Sequence, residues 1–142
     1  MLLGQHEHSL DDKNRLTLPA RLRELLGDRV VVTVGLDGCL DAYAADVWEE
    51  AVRRIQHLDA LSREARVMRR HFFAQAVTAE LDKQGRMVLP APLLEAAGIE
   101  REVTIAGVHD HLEIWDRTRW REHLREVEGS AGHVAERLAN RD

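Results

Sequence analysis

Two short segments of this chain combine an aspartate with an arginine four residues later, Asp11–Arg15 (DDKNR) and Asp82–Arg86 (DKQGR). In a tight turn, an Asp carboxylate can accept hydrogen bonds from the turn backbone or from the Arg guanidinium. A guanidinium held in this way keeps N–H donors for a phosphate or for the edge of a guanine base. The alternative is an ion pair that only stabilises each turn, because exposed ion pairs are common and contribute little.

Further cations on or beside the two motifs favour the binding interpretation. The residues that we predict to contact phosphate or base edges are Lys13, Asn14, Arg15, Arg21, Arg23, Lys83 and Arg86, and the residues that we predict to stabilise the motifs are Asp11 and Asp82. The second copy has Pro92 and Leu94 where the first has Arg21 and Arg23. The second copy is therefore poorer in cations, and we expect the first loop to make more of these contacts.

The sequence lacks the common signatures of catalysis and of metal binding. It contains no Walker loop, GxSxG or HExxH, and the Asp–Arg pairs lack a companion nucleophile, so we predict neither an enzyme nor a cofactor. His6 and His8, like His109 and His111, lack a Cys or carboxylate that would complete a recognisable ligand set, so we predict no metal site. Cys39 is the chain's one cysteine, which excludes an intrachain disulfide and fits a reducing cytoplasm.

The two motifs belong to a longer internal repeat. Leu10–Gly27 returns as Leu81–Gly98, offset by 71 positions, with nine of eighteen residues identical. A tandem duplication implies two similar supersecondary units, and two copies in one domain usually relate by a pseudo-two-fold axis. Half of the 142 residues is about 70, a length at which a lone core is marginal. The halves should therefore share one core.

Each repeat is predicted to contain a hairpin, a short helix, a second hairpin and a longer helix. The first hairpin would join residues 6–10 to residues 15–18, with Asn14 (Gly85 in the second copy) at a left-handed turn position. Such short turns give antiparallel strands, and hence an α+β fold. The helix N-caps are predicted at Asp46, Ser62 and Asp116.

The predicted organisation has four parts. Residues 1–57 form the first repeat, 58–73 a connecting helix, 74–128 the second repeat, and 129–142 a flexible polar tail that begins at GSAG. Neither a signal peptide nor a membrane span is indicated, so we expect a cytoplasmic protein without a membrane partner. The net charge of −5 argues weakly against nucleic acid as a partner. Binding depends, however, on the local electrostatic potential and on the number of binding sites that an assembly presents.

Several segments together resemble the MraZ family of bacterial proteins: DDKNRLTLPARLRELLG, DKQGRMVLPAPLLEAAG, GLDGCL and FFAQAVTAELD. The resemblance extends from Leu2 to about Glu128. It implies tandem AbrB-like (SpoVT-type) swapped-hairpin units that form one pseudo-two-fold β-barrel-like domain with flanking helices. The family usually has Gly before the Arg, where the first copy here has Asn14.

The resemblance also implies a function and an assembly. Members form ring-shaped homo-oligomers, often octamers, at the nucleoid, and they repress their own division and cell-wall operon by binding direct repeats upstream of it. The partner would be double-stranded promoter DNA, with the turn or ribbon in the major groove. The alternative is a structural protein, a ring-forming scaffold that docks a protein partner. A regulator or antitoxin of the AbrB type is less favoured, because those proteins usually carry one copy per chain.

Overall fold

The structure is a computed structural model that describes residues 1–141, and it confirms the predicted α+β class. Its strands are β1 (Leu2–Ser9), β2 (Arg15–Thr17), β3 (Arg29–Val34), β4 (Leu40–Ala44), β5 (Val77–Glu80), β6 (Arg86–Val88), β7 (Glu102–His109) and β8 (Leu112–Asp116). Its helices are α1 (Ala20–Leu26), α2 (Ala45–Gln56), α3 (Arg63–Arg69), α4 (Ala91–Ala96) and α5 (Arg117–Ala139), with a π-helical turn, Arg70–Ala74, directly after α3.

The strands form two antiparallel sheets. Six strands pair in the order β1-β7-β8-β4-β3-β5, and β2 pairs with β6 in a separate two-stranded ribbon. The strands β1 and β5 are the edges of the larger sheet, so over the described residues it does not close into the expected barrel. The reason is that β2 and β6, which would have to continue the larger sheet, pair with each other instead.

The predicted pairing of β1 with β2 is wrong, although the turn between them forms. β1 pairs along its whole length with β7 of the other repeat, and β2 pairs with β6. Pairing across the repeats joins two half-cores into one, which a hairpin closed within each repeat would not do. The later hairpins, β3–β4 and β7–β8, form as predicted.

The register of the sheets is symmetric under exchange of the repeats. Leu16 lies directly opposite Met87 in the ribbon, and these two positions align in the internal repeat. Asp41 lies directly opposite Glu113 in the larger sheet, and these two positions also correspond. A pseudo-two-fold axis therefore passes through both pairs.

One hydrophobic core contains side chains from both repeats, as expected. Leu16 and Met87, on the inner face of the ribbon, are 0% and 1% exposed. Leu40 and Ala42 of β4 and Leu112 and Ile114 of β8 belong to the same buried cluster. Because side chains alternate along a strand, the residues between them, Asp41 and Glu113, point to the opposite face of the sheet.

Two of the three predicted helix caps are confirmed. The side chain of Ser62 accepts a hydrogen bond from Ala65 N at 3.2 Å, and that of Asp116 accepts one from Arg119 N at 3.1 Å. Asp46 is not a cap, because α2 begins one residue earlier and Asp46 lies within its first turn. Within residues 1–141, none of the helices combines the length and the apolar character needed to cross a membrane.

The helix α5 does not end at GSAG, where the sequence predicted the start of a flexible tail. It continues through residues 129–132 to Ala139. A glycine inside a helix costs about 1 kcal/mol relative to alanine and does not forbid the helix. The Ser130 hydroxyl also donates to the carbonyl of Glu126 at 2.7 Å, a contact that helical geometry permits. The other domain boundaries stay predictions.

Candidate nucleic-acid interface

The loop between β1 and β2 is organised around the Asp11 carboxylate. Its Oδ1 accepts hydrogen bonds from the backbone N–H groups of Lys13 at 2.9 Å and Arg15 at 2.8 Å. Its Oδ2 accepts from Arg15 Nε at 2.6 Å. One carboxylate therefore closes the turn and fixes the base of the guanidinium.

The loop between β5 and β6 repeats this geometry. Asp82 Oδ1 accepts from the backbone N–H groups of Gln84 and Arg86, both at 2.9 Å, and Oδ2 accepts from Arg86 Nε at 2.8 Å. The side chains of Arg15 and Arg86 are 25% and 28% exposed. Each arginine donates its Nε–H to its own aspartate, and these bonds do not use the N–H donors of the two terminal amino groups.

The hydrogen bonds lower the pKa of both carboxyls. The pKa of Asp11 falls to about 2, mainly because the Arg15 backbone N–H stabilises the charged form, with further contributions from the Arg15 side chain and the Lys13 N–H. The pKa of Asp82 is lowered for the same reasons, with the Arg86 backbone N–H first. Both loops therefore carry ionised aspartates at neutral pH.

The residue before each arginine adopts the left-handed backbone conformation that the repeat predicts. Asn14 has φ 57° and Gly85 has φ 75°. The carbonyls of these two residues accept hydrogen bonds from the opposite repeat, Asn14 O from Leu89 N at 2.9 Å and Gly85 O from Leu18 N at 3.0 Å. Each motif turn is thus attached to the strand end of the other copy.

The ribbon places both arginines on one face. Arg15 is directly opposite Val88, and Arg86 is directly opposite Thr17. Residues opposite one another or two apart on a strand share a face, so all four side chains point outward while Leu16 and Met87 point into the core. Diagonal neighbours of this kind lie about 7–8 Å apart. The outward face of the ribbon is therefore one surface with an arginine at each end.

Thr17 and Val88 are members of this face that the sequence prediction missed. Thr17 is exposed, and Val88 is 56% exposed although it is apolar. The alternation of buried and exposed positions in RLT and RMV could have indicated them. What the alternation could not indicate was that the two segments pair with each other.

The remaining predicted cations lie in different places. Arg23 belongs to the first repeat but packs on the second loop, where a Cβ added to Gly85 would collide with its side chain. It lines a groove there with Asp82 and Lys83. Arg21 instead lies beside residues 1–6, near Leu3. The two loops are consequently more equal in cations than the alignment of the repeats suggests.

The loops are not strongly cationic. Between Asp11 and Arg15, two aspartates balance Lys13 and Arg15, so the formal charge of the segment is zero. The segment from Asp82 to Arg86 has one aspartate against Lys83 and Arg86. Recognition by this surface must therefore depend on the geometry of the guanidinium groups more than on bulk charge.

Comparison with known proteins identifies the relatives of the chain. The profile of the family described as "MraZ protein, putative antitoxin-like" matches it twice, over residues 1–71 and 72–142. A protein of Moorella thermoacetica named "Transcriptional regulator MraZ" is 42% identical over 142 residues, which cover 100% of this chain and 99% of the relative. A protein of the same name from Caldanaerobacter subterraneus subsp. tengcongensis is 41% identical over 140 residues, which cover 99% of this chain and 98% of the relative. Another from Pelotomaculum thermopropionicum is 42% identical over 140 residues, which cover 99% of this chain and 97% of the relative.

Proposed function

The chain belongs to the MraZ family, and we propose that it is a sequence-specific DNA-binding transcriptional regulator that reads DNA with the outward face of the β2–β6 ribbon. The observation that carries this proposal is the pair Arg15 and Arg86, each fixed by its own aspartate and both on that one face. The names of the relatives, which describe transcriptional regulators, support the same function.

The proposal requires an element that can enter a groove of DNA. A two-stranded ribbon fits the B-DNA major groove, which is about 12 Å wide. The terminal amino groups of an arginine form a planar fork that matches the O6 and N7 acceptors of guanine, or two phosphate oxygens. Because Asp11 and Asp82 already restrain Nε, little side-chain entropy remains to be lost when the fork binds.

The other predicted residues have supporting roles in the proposal. Lys13 and Lys83 are exposed at the tips of the loops and would contact phosphates, while Arg23 adds a cation beside the second loop. Asn14 provides the left-handed turn, and its side chain is partly exposed beside Arg15. The position of Arg21, near the start of β1, makes it the weakest candidate for contact with the same DNA segment.

We further propose that the protein acts as a ring-shaped homo-oligomer, an octamer, on direct repeats upstream of its own division and cell-wall operon, which it represses in the cytoplasm at the nucleoid. The near-neutral loops support this proposal, because one ribbon should bind weakly at physiological salt. An assembly that presents several ribbons to successive repeats gains affinity through effective concentration.

The test compares the intact protein on two duplexes of equal length and composition. One is the region upstream of its own gene and the other is a shuffled sequence, each measured over a series of salt concentrations, with the mass of the assembly followed by light scattering. We expect tighter binding to the upstream region and a steep decrease of affinity with salt. Equal affinity for the two duplexes would overturn the proposal and favour the scaffold function.

A further inference from the structure

A cluster of potential metal ligands lies on the face of the larger sheet that points away from the core. The ligand atoms of Cys39, Asp41 and Glu113 all lie within 4.8 Å of one another. Cys39 lies in the bend directly before β4, two positions before Asp41, and Glu113 is directly opposite Asp41, so the three lie close together. Cys39 is 1% and Asp41 8% exposed, and Glu113 is half-buried.

Two distances to Asp41 match the spacing of neighbouring ligands around a four-coordinate ion, whereas ligand atoms near the limit of 4.8 Å would have to move closer together. Cys39 Sγ and His111 Nε2 each lie 3.7 Å from Asp41 Oδ1. Tetrahedral zinc, with bonds of about 2.0–2.3 Å, places neighbouring ligand atoms about 3.3–3.8 Å apart. An ion could therefore be accommodated with small movements of the side chains.

The orientation of His111 is fixed by groups outside the cluster. Its Nδ1 lies 2.7 Å from Asp110 Oδ1, and its ring stacks on Tyr43 with 4.6 Å between the ring centroids. The other ring nitrogen, Nε2, lies 3.7 Å from Asp41 Oδ1, so the ring is directed at the cluster. Histidines that bind zinc usually bond through one ring nitrogen to a carboxylate and direct the other at the metal.

The surroundings of the cluster are acidic and closely packed. Burial, together with the charges of Glu113 and Asp37, raises the pKa of Asp41. The pKa of the Cys39 thiol is also raised, mainly by burial. The nearby Arg54 is 72% exposed and lies 3.9 Å from Asp110, at the rim of the cluster.

Gly35 limits what could enter the cluster. A Cβ at this position would lie 2.8 Å from Asp41 Oδ1 and 3.0 Å from Cys39 Sγ, so the backbone passes directly over the ligand atoms. On the other side, Glu113 Oε1 accepts a hydrogen bond from Trp115 Nε1 at 3.1 Å. The close approach of the Gly35 backbone therefore disfavours a ligand larger than a single ion.

We propose that Cys39, Asp41, Glu113 and His111 bind one four-coordinate divalent ion of the zinc class. A thiolate and an imidazole select such an ion over magnesium or calcium, which prefer oxygen ligands alone. On binding, the Cys39 S–H bond breaks, its proton leaves to solvent, and the thiolate forms the bond to the ion. The proposal is independent of the DNA-binding function.

The experiment uses Co²⁺ as a spectroscopic probe of the full-length protein after treatment with a chelator. Because Cys39 is the single cysteine in the chain, a thiolate-to-cobalt charge-transfer band in the near ultraviolet reports on this site alone. We expect one Co²⁺ per chain, displacement of the band by Zn²⁺, and a higher Tm with Zn²⁺ than with chelator. Loss of a ligand in Asp41→Asn or His111→Ala should weaken binding of the ion by more than about 10-fold. Even the change of an outer partner that only orients a ligand weakens metal binding by about 10-fold or more.

The controls separate the metal site from a general effect on folding. Cys39→Ser should lose the band, whereas His123→Ala, whose ring lies 4.8 Å from Trp115 and outside the cluster, should keep it. If Cys39→Ser does not fold, the affinities of the Asp41→Asn and His111→Ala variants decide the question. The proposal is overturned if Co²⁺ gives no thiolate band with the wild-type protein, which is the result expected when the carboxyls and the thiol only share protons. It is also overturned if the Asp41→Asn and His111→Ala variants bind the ion as tightly as the wild-type protein.

Discussion

Substitution of the two motif arginines is the most direct test of the ribbon surface. In the structure, the Nε of each arginine is bonded to its aspartate, so the DNA contact must come from the terminal amino groups. A bidentate contact with guanine provides about 1–3 kcal/mol of discrimination, or about 5- to 150-fold in affinity. Arg15→Ala should therefore reduce affinity for the upstream DNA by at least this range, because every engaged ribbon of an assembly loses the contact.

The pseudo-two-fold arrangement predicts that the two arginines are equally important. Arg86→Ala should cause a loss similar to that of Arg15→Ala, since both side chains lie on the same face with the same restraint. Arg15→Lys keeps the charge but not the planar fork, so it should keep most of the binding to shuffled DNA and lose the preference for the upstream sequence. The matched control is Arg137→Ala, an exposed arginine in the last turn of α5, which should bind as wild type.

The assay is fluorescence anisotropy with both duplexes over a series of salt concentrations. If an arginine contacts phosphate, its removal should reduce the slope of log affinity against log salt by ~0.9 for each contact. If the arginine contacts a base, the slope should be unchanged, and the preference for the upstream duplex over the shuffled duplex should decrease. Unchanged affinity, slope and preference in both Arg15→Ala and Arg86→Ala would refute the assignment of the ribbon as the DNA-binding surface.

Three further predictions concern the structure that supports this surface. Leu16→Ala, at a position 0% exposed beneath the ribbon, should lower the free energy of unfolding by about 2–5 kcal/mol in urea denaturation, whereas Val88→Ala on the outer face should change it by less than ~0.5 kcal/mol. Gly85→Ala should lower the same free energy by at least about 1–2 kcal/mol, because φ is 75° there and the added Cβ would also meet the Arg23 side chain, and an unchanged value would contradict the left-handed turn. In an NMR titration, the Asp11 carboxyl should have a pKa of about 2 and stay below its ordinary value in Arg15→Ala, since the backbone N–H bonds remain; a return to the ordinary value would mean that the ion pair is the main cause.

Local structure could be predicted from the sequence because it depends on neighbouring residues. The motif turns, with Asn14 and Gly85 in the left-handed conformation, follow from residue types that tolerate positive φ. The short helices after Pro19 and Pro90 and the cap at Ser62 depend on equally local chemistry. Each of these features depends on residues that are close in the sequence, which is why the sequence predicted them.

Strand pairing could not be predicted in the same way. The turn at Asp11–Arg15 closes with a hydrogen bond from Asp11 N to Arg15 O, as a hairpin turn would, yet the strands on either side of it pair with the other repeat. Two nearly identical copies offer each strand two chemically similar partners. Which partner is used depends on how much apolar surface the whole chain buries, and that quantity is not a property of any short segment. The position of Arg23 on the second loop is a consequence of this exchange.

The pseudo-two-fold axis also resolves the conflict between an acidic chain and a nucleic-acid partner. It passes through the Leu16–Met87 pair beneath the ribbon and through the Asp41–Glu113 pair on the far face of the larger sheet. Packed layers lie about 10 Å apart, and solvent-exposed charges interact weakly beyond a Debye length of about 8 Å at physiological ionic strength. Exposed acidic side chains farther than this from the ribbon therefore contribute to the net charge of −5 but little to the potential at the ribbon. The potential that DNA meets is set by the few side chains of the outward face, so the global charge of this chain does not argue against the proposed function.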